Sequence, residues 1–239
     1  MPSSASRPVD LAVVLAGGTG SRLGRLTADT PKPLLPVAGR PFVTHVLAHL
    51  EGQGIKRVVL ATGYLADRFE QALGPRWQGL ELSYSREETP LGTGGALARA
   101  LGPRTEEFAF VVNGDTYFPL DYSELAARRE RANARLALAL RHVPDSGRFG
   151  AVELEGDRVV ALREKDGAGA GLVNGGTYLV DRAALLAASP RGAFSLEKDL
   201  FPPWVAQGLV AGLACEVDFI DIGIPESLAE AGRRLGVRP

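Results

Sequence analysis

The sequence predicts an α/β fold, a single domain with a mixed, mostly parallel central sheet flanked by helices. The predicted strands at 9–15 and 57–62 contain the continuous hydrophobic runs 11–15 and 58–61, as expected of strands buried on both faces of a sheet. In the first half, such runs alternate with segments of helical periodicity, which implies right-handed crossovers between parallel strands. In the second half, several strand-like segments are neighbours, and there we expect the sheet to be mixed.

The first half begins with the strand at 9–15, which runs into glycine. Residues 41–53 show helical spacing of apolar side chains, with a proline near the start and glycines near the end. The elements that follow are predicted to be strand, helix, strand, helix and strand, at 57–62, 65–73, 80–85, 95–101 and 108–112.

The second half is predicted to contain more strands than helices. Ser123 is a candidate N-cap for a helix at 124–132, and Gly156-Asp157 is typical of a hairpin turn. We expect the glycine-rich loop at 165–172 to be the most flexible segment. The strands are predicted at 136–142, 151–155, 158–163, 171–180 and 210–219, with a final helix around 227–233.

Composition excludes several classes of protein. The 239 residues are 45% hydrophobic, which allows a substantial core, and without a linker or repeat we predict one domain at 9–239 after a disordered tail at 1–8. A net charge of −1 argues against nucleic-acid or membrane partners. The single cysteine fits a reducing cytoplasm, and we find no signal peptide or run of membrane-spanning length.

The loop after the first strand carries three glycines and two cations, namely Gly17, Gly18, Gly20, Arg22 and Lys32. It lacks the third small residue of a dinucleotide fingerprint, because Leu23 stands there, and it has no G-K-[ST]. The glycines then indicate either a tight turn or a loop whose N–H groups approach an anion. The two cations favour phosphate, which arginine clamps and lysine attracts as a point charge.

Aspartates follow two of the predicted strands. Asp115 ends "VVNGD", and Asp221 lies in "DFIDIG", where Gly223 permits close approach. Ligands of open α/β sheets bind at the carboxyl ends of strands, and Mg²⁺ prefers carboxylate oxygens. The alternatives are a capping turn at Asp115 and a structural role for Asp221, the role that we favour for Asp218.

Two further groups of residues are weaker candidates. Glu87 and Glu88 precede a helix start rich in glycine, where a carboxylate could accept the two donors of a guanine edge and free N–H groups could hold a base or sugar. An acidic turn facing solvent is the alternative. Four other residues could bind the hydroxyl groups and the phosphate of a sugar phosphate: Gly150, Glu164, Lys165 and Asn174. For each of them taken singly, an ordinary surface position is the alternative.

Three residues are set aside as structural. His45 and His49 share a helix face, but Val46 stands where a zinc-binding H-E-x-x-H motif needs glutamate. Cys215 lies in an apolar strand, which favours an inert core residue over a nucleophile. The sequence also shows no Ser-His-Asp arrangement with a nucleophile elbow.

Taken together and in order, these segments resemble the sugar-1-phosphate nucleotidylyltransferase family. The motifs are "LAGGTGSRL", "TPKPLLPVAGRP", "PLGTGGAL", "NGDTY", "REK", "NGGTY" and "FIDIGIPESL", and they span nearly the whole chain. The resemblance implies a Rossmann-like nucleotidyltransferase fold, with a nucleotide-binding lobe at roughly 9–120 and a sugar-phosphate lobe at 121–239. It also implies Mg²⁺ and small-molecule substrates, an NTP and a sugar 1-phosphate that yield NDP-sugar and pyrophosphate. A homodimer remains open.

The resemblance assigns a role to each candidate residue by position. It implies that the nucleotide is bound by Leu15, Ala16, Gly17, Gly18, Gly20, Glu87 and Gly92. The catalytic cations would be Arg22, Lys32 and Lys165. The sugar would be bound by Asn113, Gly150, Glu164 and Asn174, and Mg²⁺ by Asp115 and Asp221.

The substrate is inferred from a narrower similarity. "EETPLGTGGA" and "FIDIGIPESL" are most similar to the D-glycero-α-D-manno-heptose 1-phosphate guanylyltransferases, which use GTP, and the chain ends soon after Asp221, unlike branches with a C-terminal β-helix. Relatives that use mannose 1-phosphate with GTP, or N-acetylmuramate 1-phosphate with UTP, share the core motifs. A glycosyltransferase of the same fold, for which a D-x-D pair is expected, and a non-catalytic nucleotide-sugar sensor are less favoured.

Overall fold

One sheet of ten strands runs through the protein, whose computed structural model describes residues 8–146, 150–163 and 169–236. Strands β1 to β14 are Leu11–Leu15, Pro36–Val37, Arg40–Pro41, Arg57–Thr62, Arg76–Trp77, Leu80–Arg86, Phe108–Asn113, Thr116–Tyr117, Leu136–Val143, Val152–Glu155, Arg158–Leu162, Gly171–Asp181, Val210–Cys215 and Ile220–Asp221. Helices α1 to α7 are Phe42–Gly52, Ala66–Leu73, Gly92–Leu101, Tyr122–Arg131, Arg182–Ala188, Phe201–Ala206 and Pro225–Gly236.

The large sheet has a parallel side and a mixed side. On the parallel side β1 lies between β4 and β7, and β4 also pairs in parallel with β6. On the mixed side β12 runs antiparallel to both β7 and β9, whereas β9 and β13 are parallel. The complete order is β10-β11-β13-β9-β12-β7-β1-β4-β6-β5. The prediction of a mixed α/β sheet, with its mixed part in the second half, is confirmed.

Helices cover both faces of the sheet, and strand β1 is buried between them. Ala12 and Val14 pack in the core that includes α1, whereas Leu11 and Val13 pack in the core that includes α3 and α6. This explains why the first strand is apolar at every position rather than at alternate ones. None of the helices in the described part of the chain has the length and hydrophobicity needed to cross a bilayer.

Several element predictions need correction. The predicted strand at 210–219 is wrong beyond Cys215, because Glu216, Val217 and Asp218 leave the sheet and are exposed before β14 begins. Sequence analysis also missed helix α5 and a π-helical turn, Leu196–Leu200, that leads into α6. The predicted tail at 1–8 and the predicted flexible loop at 165–172 fall partly outside the described residues, at 1–7 and 165–168.

Helix α4 is capped by Asp121 and not by Ser123. The Asp121 carboxylate accepts the N–H of Ser123 at 2.8 Å and its hydroxyl at 2.7 Å. Ser123 therefore lies inside the first helical turn, and the helix begins two residues earlier than predicted. The hydrogen bond from the Ser123 hydroxyl is the largest cause that lowers the pKa of Asp121, followed by the bond from the backbone.

We expect Asp121→Ala to lower the free energy of unfolding by about 1 kcal/mol, because the first turn loses its acceptor. Ser123→Ala should cost less, since the carboxylate still accepts the backbone N–H. Folding lowers the pKa of Asp121, so its contribution is present above the pKa of the unfolded chain and is lost as pH falls through the folded pKa. Urea denaturation at several pH values measures both effects. A larger loss for Ser123→Ala would contradict the assignment.

Candidate active site

A cavity of about 650 Å³ opens at the carboxyl ends of three parallel strands, β1, β4 and β7. Leu15, Ala61 and Asn113 lie at these ends and line its floor. The carboxyl edge of an open α/β sheet is where ligands bind, because the loops that leave the strands diverge there. The cavity is lined by all the predicted nucleotide residues, by two of the predicted catalytic cations, by one predicted sugar residue and by one predicted metal ligand: Leu15, Ala16, Gly17, Gly18, Gly20, Glu87 and Gly92; Arg22 and Lys32; Asn113; and Asp115.

The glycine loop forms one wall of this cavity, and its glycines differ in what they are needed for. Gly20 has φ +66°, and a Cβ there would lie 2.9 Å from a methyl carbon of Thr27. A Cβ on Gly17 would lie 2.9 Å from Oε1 of Glu87. At Gly18 a Cβ would meet no protein atom within 4 Å. Packing within the protein thus explains why glycine is needed at positions 17 and 20. The loop is consistent with both interpretations of its sequence, a tight turn and a loop that lets a ligand approach the backbone.

An ion pair connects the glycine loop to the end of β7. Lys32 Nζ lies 2.5 Å from Asp115 Oδ2. The lysine side chain is 8% exposed, whereas that of Asp115 is 36% exposed and lines the cavity. A buried ammonium is costly without a charged partner, so the carboxylate compensates the charge of the lysine and fixes its position. Arg22, by contrast, is exposed at the rim, in the 3₁₀ helix Ser21–Thr27.

The two predicted metal ligands are brought together by a small antiparallel ribbon. In it β8 pairs with β14, so that Asp221 lies opposite Thr116, and the Ile222 N–H donates to the Asp115 carbonyl oxygen at 3.1 Å. The Asp221 carboxylate accepts the N–H of Gly223, a residue that lines the cavity. Asp218 is turned away into a salt bridge with Arg234, which fits the structural role predicted for it.

The donor set of this ribbon fits Mg²⁺ better than a softer metal. Two carboxylates lie at its ends, and no group of three or more His, Cys, Asp or Glu side chains suited to a metal occurs within residues 8–146, 150–163 and 169–236. Mg²⁺ is usually bound by one or two carboxylates, with water and substrate phosphates completing the octahedron. Asp115 and Asp221 are therefore the residues that could hold such an ion.

Glu87 lines the cavity next to Gly17 of the glycine loop. Its backbone N–H donates to the Thr62 carbonyl at 2.8 Å, which continues the pairing between β4 and β6. Its Oε2 accepts the Leu91 N–H at 2.8 Å, and its Oε1 faces Gly17. The Glu87 side chain is thus fixed at its backbone by Thr62 and at its carboxylate by the Leu91 N–H. Glu88 also lines the cavity but is exposed.

The start of helix α3 departs from expectation, because two of its N–H groups, those of Gly94 and Gly95, are already occupied. The Phe194 carbonyl accepts the N–H of Gly94 at 2.9 Å and that of Gly95 at 3.3 Å. A Cβ at Gly92 would come within 2.4 Å of that carbonyl oxygen, and one at Gly94 within 2.2 Å of the Phe194 ring. The prediction of free N–H groups at Gly94 and Gly95 is wrong, since this distant segment packs on the glycines.

The predicted sugar residues divide between the cavity and other parts of the fold: Asn113 lines the cavity, whereas Gly150 and Asn174 do not. Asn174 lies on β12 just before a register irregularity in its pairing with β9, and its Nδ2 donates to the Tyr178 hydroxyl at 2.9 Å. Gly150 has φ +79°, and its N–H donates to the Ser146 carbonyl at 3.1 Å. Neither of them, nor Asp221, lines the cavity. Glu164 and Lys165 lie outside the described residues.

The histidines and the cysteine occupy structural positions. Nε2 of His45 lies 3.0 Å from the Val37 carbonyl oxygen, and Nε2 of His49 lies 3.0 Å from that of Leu120. Burial raises the pKa of the Cys215 thiol to about 11, which disfavours the reactive thiolate. These positions agree with the structural roles predicted for all three residues.

Sequence reasoning missed several residues of the cavity wall, and two of them, Tyr64 and Thr93, carry a side-chain hydroxyl. Tyr64 follows the carboxyl end of β4, and its hydroxyl donates to the Ala28 carbonyl at 2.7 Å, which ties that strand end to the glycine loop. Thr93 lies at the start of α3, among the glycines. An inspection of the residues after every predicted parallel strand would have found Tyr64, as it found Asp115.

The sequence is similar to known nucleotidyl transferases along almost its whole length. The model of a family described as nucleotidyl transferase matches residues 11–236. A D-glycero-alpha-D-manno-heptose 1-phosphate guanylyltransferase of Aneurinibacillus thermoaerophilus is 37% identical over 224 residues, which are 94% of this chain and 97% of that protein. A mannose-1-phosphate guanylyltransferase of Mycobacterium tuberculosis is 37% identical over 242 residues, 98% of this chain and 67% of that protein.

Solved structures show the same similarity in three dimensions. The crystal structure of HddC from Yersinia pseudotuberculosis matches with a TM-score of 0.84 at 32% identity and covers 95% of this chain and 100% of that one. HddC has also been crystallised in complex with GMP-PN. With a family model that matches 11–236 and relatives this similar over most of the chain, the protein belongs to the nucleotidyl transferase family.

Proposed function

We propose that this enzyme transfers a guanylyl group from GTP to a sugar 1-phosphate and releases pyrophosphate, with D-glycero-α-D-manno-heptose 1-phosphate as the favoured sugar. The observation that carries the proposal is the single cavity that joins the glycine loop, the Lys32–Asp115 pair and Glu87. The names of the relatives and the complex of HddC with GMP-PN support guanine and a sugar phosphate as substrates. GTP is a cytoplasmic substrate, so the proposal places the reaction in the cytoplasm.

The proposed reaction needs positioning and charge neutralisation more than acid–base chemistry. A phosphate oxygen of the sugar 1-phosphate attacks the α-phosphorus of GTP, the bond from that phosphorus to the bridging oxygen breaks, and pyrophosphate leaves with the electron pair. The nucleophile is already an anion, so no general base is required. Catalysis then depends on holding two polyanions in line and stabilising the charge between them. A site of glycines, cations and carboxylates suits this task.

The cations in this proposal act at different places. Lys32 lies near the cavity floor, where Asp115 holds its ammonium, and there it would neutralise the α-phosphate and the leaving pyrophosphate. Arg22 lies at the exposed rim and would clamp the outer phosphates. Lys165 is proposed to bind the phosphate of the sugar substrate. Main-chain N–H groups of Gly17, Gly18 and Gly20 would supply donors that carry no net charge.

Mg²⁺ is part of the proposal because of the two aspartates of the β8–β14 ribbon. Asp115 and Asp221 would hold the ion, which when bound neutralises phosphate charge and polarises the α-phosphate. Asp115 would then face two cations at once, Lys32 and the metal. Such sharing requires a carboxylate that is fixed in position, and the 2.5 Å ion pair with Lys32 fixes it.

The base and the sugar are assigned to opposite sides of the reacting phosphates. Glu87, with Gly92 beside it, would accept the two donors of the guanine edge. Asn113, Gly150, Glu164 and Asn174 would bind the hydroxyl groups of the sugar. Among other sugars, mannose 1-phosphate is the second candidate, since the Mycobacterium tuberculosis relative that carries that name is also 37% identical.

The test of the proposed function is a panel of substrates. The purified full chain is incubated with Mg²⁺, each of four NTPs, and the 1-phosphates of the heptose, mannose and N-acetylmuramate, while pyrophosphate release is followed. We expect the fastest release with GTP and the heptose phosphate. Faster release with mannose 1-phosphate would support the second candidate. If no pair released pyrophosphate, the proposed function would be wrong.

Replacing either proposed metal ligand should remove most of the activity. We expect Asp115→Asn and Asp221→Asn each to lower turnover by about 100-fold or more, because each loses a charged ligand. Asp218→Asn, three residues from Asp221, is the matched control and should keep wild-type turnover. Thermal unfolding separates a lost metal from a lost fold, which matters for Asp115 because Lys32 depends on it. Full activity of Asp221→Asn would refute the metal assignment.

Glu87→Gln should weaken the preference for guanine. The glutamine oxygen can still accept the Leu91 N–H, which leaves its amide donors facing the donors of the base. We expect the ratio of kcat/KM for GTP to that for ATP to fall by about tenfold. Glu88→Gln is the matched control, since Glu88 is exposed in the same loop. Equal selectivity in all three proteins would exclude Glu87 as the residue that recognises the base.

A further inference from the structure

Tyr64 connects the carboxyl end of strand β4 to two distant points of the glycine loop. Its N–H donates to the Gly17 carbonyl at 3.5 Å, where the loop begins. Its hydroxyl donates to the Ala28 carbonyl at 2.7 Å, directly after the 3₁₀ helix Ser21–Thr27. The residue that makes these two bonds is 37% exposed and lines the cavity. A single residue therefore spans the loop from Gly17 to Ala28.

The backbone at Tyr64 is fixed by its closeness to the sheet. Pairing between β1 and β4 continues past the strand ends, since the Ala16 N–H donates to the Ala61 carbonyl at 2.8 Å. A Cβ at Gly63 would lie 3.2 Å from the Gly17 carbonyl oxygen, so the two segments pass in close contact there. The Tyr64 side chain thus starts from a well-packed strand end, and its hydroxyl can fix a more exposed segment relative to the sheet.

Hydrogen bonds within the loop maintain its local shape. The Thr27 hydroxyl is shared between the carbonyl oxygens of Gly20 and Gly24, each at 3.2 Å. The Leu23 N–H also donates to the Gly20 carbonyl, at 2.9 Å. These bonds join residues of the loop to one another, so they do not determine where the loop lies relative to the strand ends. The bond from the Tyr64 hydroxyl differs, because it joins the end of the 3₁₀ helix to the sheet.

Arg22 lies in the segment that Tyr64 spans. It belongs to the 3₁₀ helix, is exposed and lines the rim of the cavity. Gly24, two residues further on, has φ +57° and ψ −122°, which kinks this helix. A kinked segment on the surface holds an arginine in one place only if its ends are anchored. Tyr64 provides such an anchor at Ala28, directly after the helix.

We propose that Tyr64 is a positioning residue for the outer phosphates of the nucleotide, which places Arg22 by tying Ala28 to the end of β4. This inference rests on the proposed function, because it takes the cavity as the nucleotide site and Arg22 as the clamp of those phosphates. The Tyr64 hydroxyl is bonded to the Ala28 carbonyl, so its effect passes through the arginine. A ring that stacked on the base would act differently, since it would also bind a nucleotide without outer phosphates.

Two substitutions remove the two parts of this arrangement separately. Tyr64→Phe removes the hydroxyl that bonds to Ala28 and keeps the ring in the cavity wall. Arg22→Ala removes the cation and keeps the bond from Tyr64. Tyr84→Phe is the matched control: its hydroxyl also donates to a backbone carbonyl, that of Gly74 at 2.5 Å, but Tyr84 does not line the cavity.

The experiment measures the dissociation constants of GTP and of GMP by calorimetry, with Mg²⁺ and the full chain but without a sugar phosphate. We expect Tyr64→Phe to raise the dissociation constant of GTP by about fivefold and that of GMP by less than about twofold, because GMP lacks the outer phosphates. Arg22→Ala should weaken GTP binding by about tenfold. The double variant should be no worse than Arg22→Ala, because the hydroxyl acts through the arginine. Tyr84→Phe should keep both constants.

The outcomes separate this inference from the function on which it rests. Wild-type protein that bound neither nucleotide would overturn both. Wild-type binding, combined with an unchanged dissociation constant of GTP in Tyr64→Phe, would overturn the positioning role alone. Equal weakening of GTP and GMP would also overturn it, and so would additive losses in the double variant, since Tyr64 would then act without the arginine. Thermal unfolding of each variant shows that the compared proteins are folded.

Discussion

The ion pair between Lys32 and Asp115 is the interaction on which the geometry of the site depends. Lys32 is almost fully buried, and an ammonium in such a place requires a carboxylate close by. The pair fastens the loop after β1 to the end of β7, two elements that are neighbours in the sheet. It therefore defines where the loop crosses the strand ends, and hence the shape of the cavity. Removing the Asp115 carboxylate would leave the Lys32 ammonium as an uncompensated buried charge.

The same pair joins two functions that are often carried by separate residues. One carboxylate stabilises the folded loop and is also the proposed ligand of a divalent ion. Its backbone carbonyl, in addition, accepts the N–H of Ile222 and so connects the two strands of the β8–β14 ribbon. Activity and stability are consequently coupled at this position, and loss of turnover in a variant has to be measured together with folding.

The sequence predicts the strand ends and their polar residues well, because a parallel strand in the core is continuously apolar and its end is marked by glycine and aspartate. Asp115 was found in this way and Lys32 as a cation of the glycine loop, and the structure places their charged atoms 2.5 Å apart. The contact between Phe194 and the start of α3 could not be predicted, because nothing in the sequence near either segment indicates that they meet. Sequence analysis explained the glycines at that helix start by ligand binding. The structure shows that two of them, Gly92 and Gly94, are required because Phe194 packs against them.

The β8–β14 ribbon has a consequence for how the protein is made. Its first strand follows β7 closely, but its second strand comes after nearly all other elements of the chain. During synthesis the amino-terminal half can form its parallel strands and the Lys32–Asp115 pair while Asp221 is still within the ribosome. Long-range pairing of this kind is slow to form because a large loop must close first. A nascent chain would therefore form the cavity that we propose for the nucleotide before Asp221, the proposed second metal ligand, reaches its place, and turnover would begin only in the last stage of folding.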